Sequence, residues 1–175
     1  MCFEISCMAI QNNILAENIN LLVEASGLTD ETFSNMMGFS LRKLKYMRKG
    51  NTNLKLIDLV KISDFFQIKD LTSKIVVIDG NLRSKLLKIH KGNKEYEKHL
   101  EEAPTIVYAI KQCLLKVGYV NFPAQIRDIK QAFRKQGWEY NSSSISTALK
   151  RMPDLIRIEQ HPTKKGTFLY SRIKQ

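Results

Sequence analysis

Residues 27–50 read GLTDETFSNMMGFSLRKLKYMRKG, and their punctuation sets the first half of the fold. Gly27 tolerates a left-handed backbone, the common way for a preceding helix to stop. Thr29 offers a side-chain oxygen to the unpaired N–H groups of a new helix. That helix carries Phe33, Met36 and Met37 at helical spacing and ends at Gly38. Ser40 repeats the cap for a helix from Leu41 to Lys49, with Leu44 and Met47 on its buried side and Gly50 as its stop. Two short helices separated by a tight turn are therefore expected.

Working outward, Ile14 to Ala25 reads as a helix, with Ile19, Leu22 and Val23 at helical spacing and Ile14, Leu15 and Asn18 one turn earlier. Residues 1–13 are expected to be an N-terminal tail. On the other side, past Asn51-Thr52-Asn53, a longer helix places Leu56, Leu59, Val60, Ser63 and Phe66 on one face. Ile68 to Leu71 reads as a closing turn, so the first domain is expected over residues 14–73. Residues 74–103 have a different texture. Lys74 to Ile78 (KIVVI) suggests a short strand, Asp79-Gly80 a turn, and Leu82 to Ile89 a helix broken by Lys91-Gly92-Asn93. Lys94 to Glu102 is highly charged. The segment is expected to be a connector with partial helix.

From Pro104 a second pattern begins. Ile106, Val107, Ile110, Leu114 and Val117 mark a helix stopped by Gly118. Pro123 opens the next, with Ile126, Ile129 and Phe133 buried and Gly137 at its end. Asn141 or Ser142 caps a third, with Ile145, Ala148, Leu149 and Met152 on one face, and Pro153 forbids its continuation. Two runs of strand character, Leu155–Gln160 and Thr167–Ile173, flank the turn His161–Gly166. Three helices followed by a hairpin is the order of a winged helix. The fold class expected is mainly α: an N-terminal helix-turn-helix bundle, then a C-terminal winged helix over residues 104–175 with a β-hairpin wing.

The features of Gly27 to Gly50, together with the helix that follows, resemble the lambda-repressor-like (XRE-type) helix-turn-helix family across residues 14–73. The resemblance implies that the third helix enters the DNA major groove. On this sequence the positions facing base edges are then Leu41, Arg42 and Lys43, with Lys45 and Tyr46 also outward. Arg48 and Lys49 are better placed for phosphate. One departure is Asp30, where the family usually begins its second helix with Gln. Residues 1–31 also hold five acidic side chains and no basic one. A helical bundle with a solvated basic face therefore stands beside DNA contact as the reading of this half.

Residues 104–175 resemble the winged helix-turn-helix superfamily, through element order and hairpin. The resemblance implies a recognition helix in the major groove and a wing over the neighbouring backbone. The apolar face of the Ser142–Met152 helix leaves Ser143, Ser144, Ser146, Thr147, Lys150 and Arg151 pointing out. Short hydroxyl side chains allow close approach to base edges. Lys164 and Lys165 sit at the wing tip. Trp138, Tyr140 and Phe122 read as packing groups rather than base-stacking ones.

Charge supports an anionic partner. The chain of 175 residues has 28 Lys and Arg against 17 Asp and Glu, a formal charge of +11. Residues 1–73 are neutral overall, whereas residues 104–175 hold thirteen basic and four acidic side chains, net +9. The field is thus concentrated where the wing is expected. Cys2, Cys7 and Cys113 show no disulfide framework and no zinc-ligand spacing, so neither metal nor cofactor is expected. The N-terminus has no signal-peptide pattern, and no run approaches a membrane span, so a cytoplasmic protein is expected. His90, His99 and His161 form no catalytic arrangement with Cys or Ser, and an enzyme is not expected. The function expected is sequence-specific binding of double-stranded DNA by a transcriptional regulator acting as a homodimer. A winged-helix module that docks a protein without binding DNA is the alternative.

Overall fold

The computed structural model describes residues 2–51, 55–78, 80–116 and 118–173, with side chains from Asn12 onward. Thr52, Asn53, Asp79, Val117 and the side chains of Cys2 and Cys7 lie outside the described residues. The chain divides into two units, Met1–Glu101 and Glu102–Gln175, each around its own core.

The first unit opens with α1 (Cys2–Ser26), which starts twelve residues before the expected Ile14. No Gly or Pro precedes Gly27, so nothing in the expected tail interrupts helix propagation. Then come α2 (Asp30–Met37) and α3 (Leu41–Met47). Their caps are those the sequence indicates. Thr29 accepts from the Thr32 N–H at 3.0 Å, and Ser40 from the Lys43 N–H at 3.1 Å. Gly38 closes α2 at φ 68°, a left-handed position that a side chain would strain. The core collects Ile19, Leu22, Phe33, Leu44, Ile62 and Phe65, all buried, and Phe33 meets both Phe65 and Phe66 ring to ring.

Three expectations for this unit are corrected. The buried side of α4 (Leu56–Phe66) carries Asp58, Ile62, Phe65 and Phe66, while Leu56, Ile57 and Val60 are exposed. This helix is apolar on both sides, so periodicity alone could not choose between them. The KIVVI segment pairs with no strand among the described residues. Its backbone is held instead by one buried side chain. Asn18 Nδ2 donates to the carbonyls of Leu71 and Lys74 at 2.9 and 2.8 Å, and the Val76 N–H donates to Asn18 Oδ1 at 2.8 Å. Finally, the expected connector is part of the first unit as far as Glu101. Its helices, α5 (Leu82–Ile89) and α6 (Lys94–Glu101), bury Leu86 and Leu100 in the core. Arg83, 6% exposed, donates to the carbonyl of Ser26 at 2.7 Å and that of His99 at 3.3 Å. A guanidinium at the last carbonyls of α1 fits the negative end of that helix. The His90 ring stacks on Phe65 at 4.9 Å, and its Nε2 lies 2.8 Å from the Phe65 carbonyl.

The second unit has a winged-helix topology. Helix α7 (Ile106–Tyr108) runs on as a π-helix (Ala109–Lys116), followed by α8 (Ile126–Arg134), α9 (Ser142–Lys150), β1 (Ile156–Gln160) and β2 (Phe168–Arg172). The strands are antiparallel, with Ile156 opposite Arg172 and Ile158 opposite Tyr170. Pro123 does not open a helix as expected. It leads into Ala124, which exchanges both backbone hydrogen bonds with Tyr170 at 2.9 Å and adds a short third edge to the hairpin. The core is built from Ile110, Leu114, Ile129, Phe133, Ile145, Leu149 and Tyr170. Trp138 and Tyr140 pack around Phe133, and the Tyr140 hydroxyl donates to the Pro104 carbonyl at 2.7 Å.

Candidate nucleic-acid interface

In the first unit, α3 presents a narrower basic face than its sequence suggests. Arg42, Lys45, Tyr46 and Lys49 are exposed. Arg42 lies over the Tyr46 ring, 5.5 Å from its centroid, and donates to the Tyr46 hydroxyl at 3.3 Å. This pairing holds the guanidinium on the outer face. Lys43 and Arg48 are engaged within the fold. Lys43 Nζ is 2.7 Å from Oδ2 of the buried Asp58 and 4.9 Å from the Phe39 ring centre. Arg48 is paired with Asp30, and it also donates to Asn20 Oδ1. The structure thus places Lys43 beside Asp58 and Arg48 beside Asp30, where the sequence suggested free outward cations. Both cations neutralise carboxylates of neighbouring helices, because an unpaired charge at a half-buried position is costly. Asp30, the departure noted in the sequence, is explained by its partner Arg48.

The Lys43 result leads to a prediction. Lys43→Met should cost about 1–2 kcal/mol of unfolding free energy by leaving the Asp58 carboxylate unpaired. Duplex affinity should change by less than about threefold, the scale of a rim charge. Urea denaturation and anisotropy titration on one preparation separate the two effects. A large affinity loss at unchanged stability would return Lys43 to the DNA face.

In the second unit, α9 exposes Ser143, Ser144, Thr147 and Lys150, and Arg151 follows at its C-cap. Ser143, Ser144, Thr147 and Arg151 line one groove of about 520 Å³ with Ile106, Val107 and Lys111 from the first helix of the unit. Ser146 is not among them. It is half-buried, and its hydroxyl lies 3.1 Å from that of Tyr170. The buried Tyr170 hydroxyl needs a partner, and Ser146 supplies it. The expected outward position of Ser146 is corrected for that reason.

At the wing tip Lys164 and Lys165 are exposed, and Gly166 takes the turn at φ 76°. The His161 N–H donates to the Thr167 carbonyl at 2.8 Å. The His161 side chain organises the rest: its Nδ1 accepts from the N–H groups of both Thr163 and Lys164 at 3.2 Å. Sequence reasoning passed over this role, although a polar side chain two and three residues ahead of a turn's amides is its usual signal.

Comparison with protein-family models, curated proteins and solved structures finds no match to this chain. The site therefore stands on its own geometry. That geometry combines a hydroxyl-rich helix face, cations at the same helix's C-terminal end, and a basic wing tip within one unit. Among the described residues no group of three or more His, Cys, Asp or Glu is placed to hold a metal ion, and no helix is long and apolar enough to cross a membrane.

The wing invites a second test. His161→Ala removes the acceptor of two backbone amides and should weaken duplex binding about threefold to tenfold, the worth of roughly 1 kcal/mol of turn organisation. His161→Asn keeps an acceptor at that position and should restore most of the loss. Equal affinities for wild type and His161→Ala would mean that the tip does not engage the duplex.

Proposed function

We propose that this chain is a cytoplasmic, sequence-specific double-stranded DNA-binding protein that regulates transcription, acts as a homodimer, and needs neither cofactor nor metal. The observation that carries this reading is α9 together with the wing. Ser143, Ser144 and Thr147 lie on the exposed side of a helix without a single carboxylate, with Lys150, Arg151, Lys164 and Lys165 nearby in the same fold. Backbone phosphates meet the cations, and base edges meet the hydroxyls. The +9 charge of residues 104–175 supplies a sequence-independent attraction.

The first unit adds a second, weaker reading head. Its helix order agrees with the lambda-repressor-like (XRE-type) resemblance, and Arg42, Lys45 and Tyr46 on α3 are the side chains offered to the groove. With Lys43 and Arg48 neutralised internally, this head contributes base contacts more than electrostatic affinity. Two heads on one chain raise avidity when both sites are within reach.

The test is fluorescence anisotropy on a pooled random duplex at several salt concentrations. The full chain, residues 1–101 and residues 102–175 are titrated separately, because each unit has its own core. Salt-dependent binding by residues 102–175, strengthened in the full chain, supports the proposal, and selection from the bound pool then yields the site. Absence of binding at low salt would overturn it in favour of protein docking by the winged helix.

A further inference from the structure

We infer that the second unit carries a binding pocket for a small organic anion, which shares Lys111 with the α9 groove and is otherwise lined by different residues. The pocket measures about 320 Å³ and lies between the π-helix and the base of the hairpin, lined by Lys111, Gln112, Leu115, Lys116, Leu155, Arg172 and Ile173. That volume is at the lower end of small-molecule sites. The lining holds three cations and no carboxylate. Neither Lys116 nor Arg172 has an ion-pair partner among the described residues, so two like charges face one cavity uncompensated. Leu115, Leu155 and Ile173 form an apolar wall beside them. Cations over an apolar wall fit one ligand class: a compact body bearing a phosphate or carboxylate.

The winding of the helix is the second observation. In an α-helix, residues five apart are separated by about 140° around the axis. In a π-helix they are joined by the backbone hydrogen bond and lie much closer to one side of the axis. The π-wound Ala109–Lys116 segment thereby turns Lys111 and Lys116 toward the same side, where both line the pocket together with Gln112. Gln112 Oε1 is buried without a hydrogen-bond partner among the described residues, an unmet acceptor at the pocket wall. An anion has no proton to give this oxygen, but with the amide turned over its NH2 group takes that position as a donor to an anion. Single π turns recur at functional sites because the wider turn is unfavourable unless something uses it.

The anionic group of a free ligand and a phosphate of the DNA backbone share this chemistry, and the experiment separates the two sources. Phenyl phosphate, inorganic phosphate and uncharged benzyl alcohol are titrated into the full chain and followed by amide chemical shifts. Phenyl phosphate should saturate with Kd on the order of 1 mM or tighter. Its shifts should be confined to residues 111–116, 155 and 172–173. Inorganic phosphate should bind several-fold more weakly, lacking the apolar contact, and benzyl alcohol should not saturate. The double variant K116Q/R172Q should lose at least about tenfold in phenyl phosphate affinity. Its thermal unfolding should stay near wild type, because both side chains are exposed, and its duplex affinity should fall by no more than about tenfold, the scale of two rim charges. Failure of phenyl phosphate to saturate, or equal binding by the double variant, would overturn the pocket. So would a duplex loss in K116Q/R172Q without any phenyl phosphate site, which would make these cations backbone contacts. The pocket holds or fails whether or not the chain reads DNA.

Discussion

Reversal of Lys150 and Arg151 to Glu is expected to reduce duplex affinity roughly 100-fold at about 0.1 M salt and to lower the salt slope by about 2. Each phosphate contact releases close to one counterion, so removing two contacts accounts for the slope, and adding two negative charges deepens the loss. Both side chains are exposed where α9 ends, Lys150 in the last helical position and Arg151 at the C-cap, so neither supports the core. The carboxylates would also meet the negative end of the helix, at about 0.3–1 kcal/mol each. A Lys150→Gln, Arg151→Gln variant avoids that penalty. It should show a smaller affinity loss with a similar change of slope. Anisotropy over a salt series, with the melting temperature as a folding control, reads all three quantities. If both variants bind duplex as wild type does, α9 is not the reading helix. If no protein binds, the chain does not read duplex DNA and protein docking by the winged helix becomes the reading to test.

What could be read from the sequence was local. Thr29, Ser40, Gly27, Gly38 and Gly50 act on backbone groups a few residues away, so their spacing was enough to place α2 and α3. The hairpin and α9 were legible for the same reason: alternation within the strands and the 3.6-residue period in the helix are properties of one segment. The exposed set Ser143, Ser144, Thr147, Lys150 and Arg151 follows from that period. What escaped depended on partners distant in the chain. Lys43 reads as an outward base contact until Asp58 is found beside it, and Arg48 until Asn20 and Asp30 are. Ser146 reads as one more exposed hydroxyl until Tyr170 reaches it. KIVVI has the composition of a strand, but strand propensity needs a neighbouring strand to be realised. The charged run at residues 94–102 hid a helix whose apolar contact with the core is chiefly Leu100 and Tyr96.

The same dependence on distant partners makes Asn18 a residue whose loss should cost the first unit heavily. Its side chain is fully buried and replaces a missing strand: two carbonyls and one N–H of residues 71–76 meet its amide. Asn18→Ala leaves those three backbone groups without partners and opens a small void against α1. A buried unsatisfied polar group costs about 1–3 kcal/mol, and water reaching the less buried groups recovers part of it. A net loss of about 3 kcal/mol is expected, which for a unit of this size is a fall in Tm of roughly 15 °C. Asn18→Asp should be no better, because a carboxylate keeps the acceptor for Val76 but faces the carbonyls of Leu71 and Lys74 with no N–H to give. Asn18→Leu preserves volume and should recover only the void, separating packing from hydrogen bonding. Calorimetry of the full chain should show the transition of the first unit moving while that of the second, built on its own core, stays in place. Residues 71–76 lead into α5 and α6, so their release should also expose Leu86 and Leu100 to solvent and quicken amide exchange there before global unfolding. A Tm within about 3 °C of wild type for Asn18→Ala would show that residues 71–76 are held by the core packing of Leu71, Val76 and Ile78 alone.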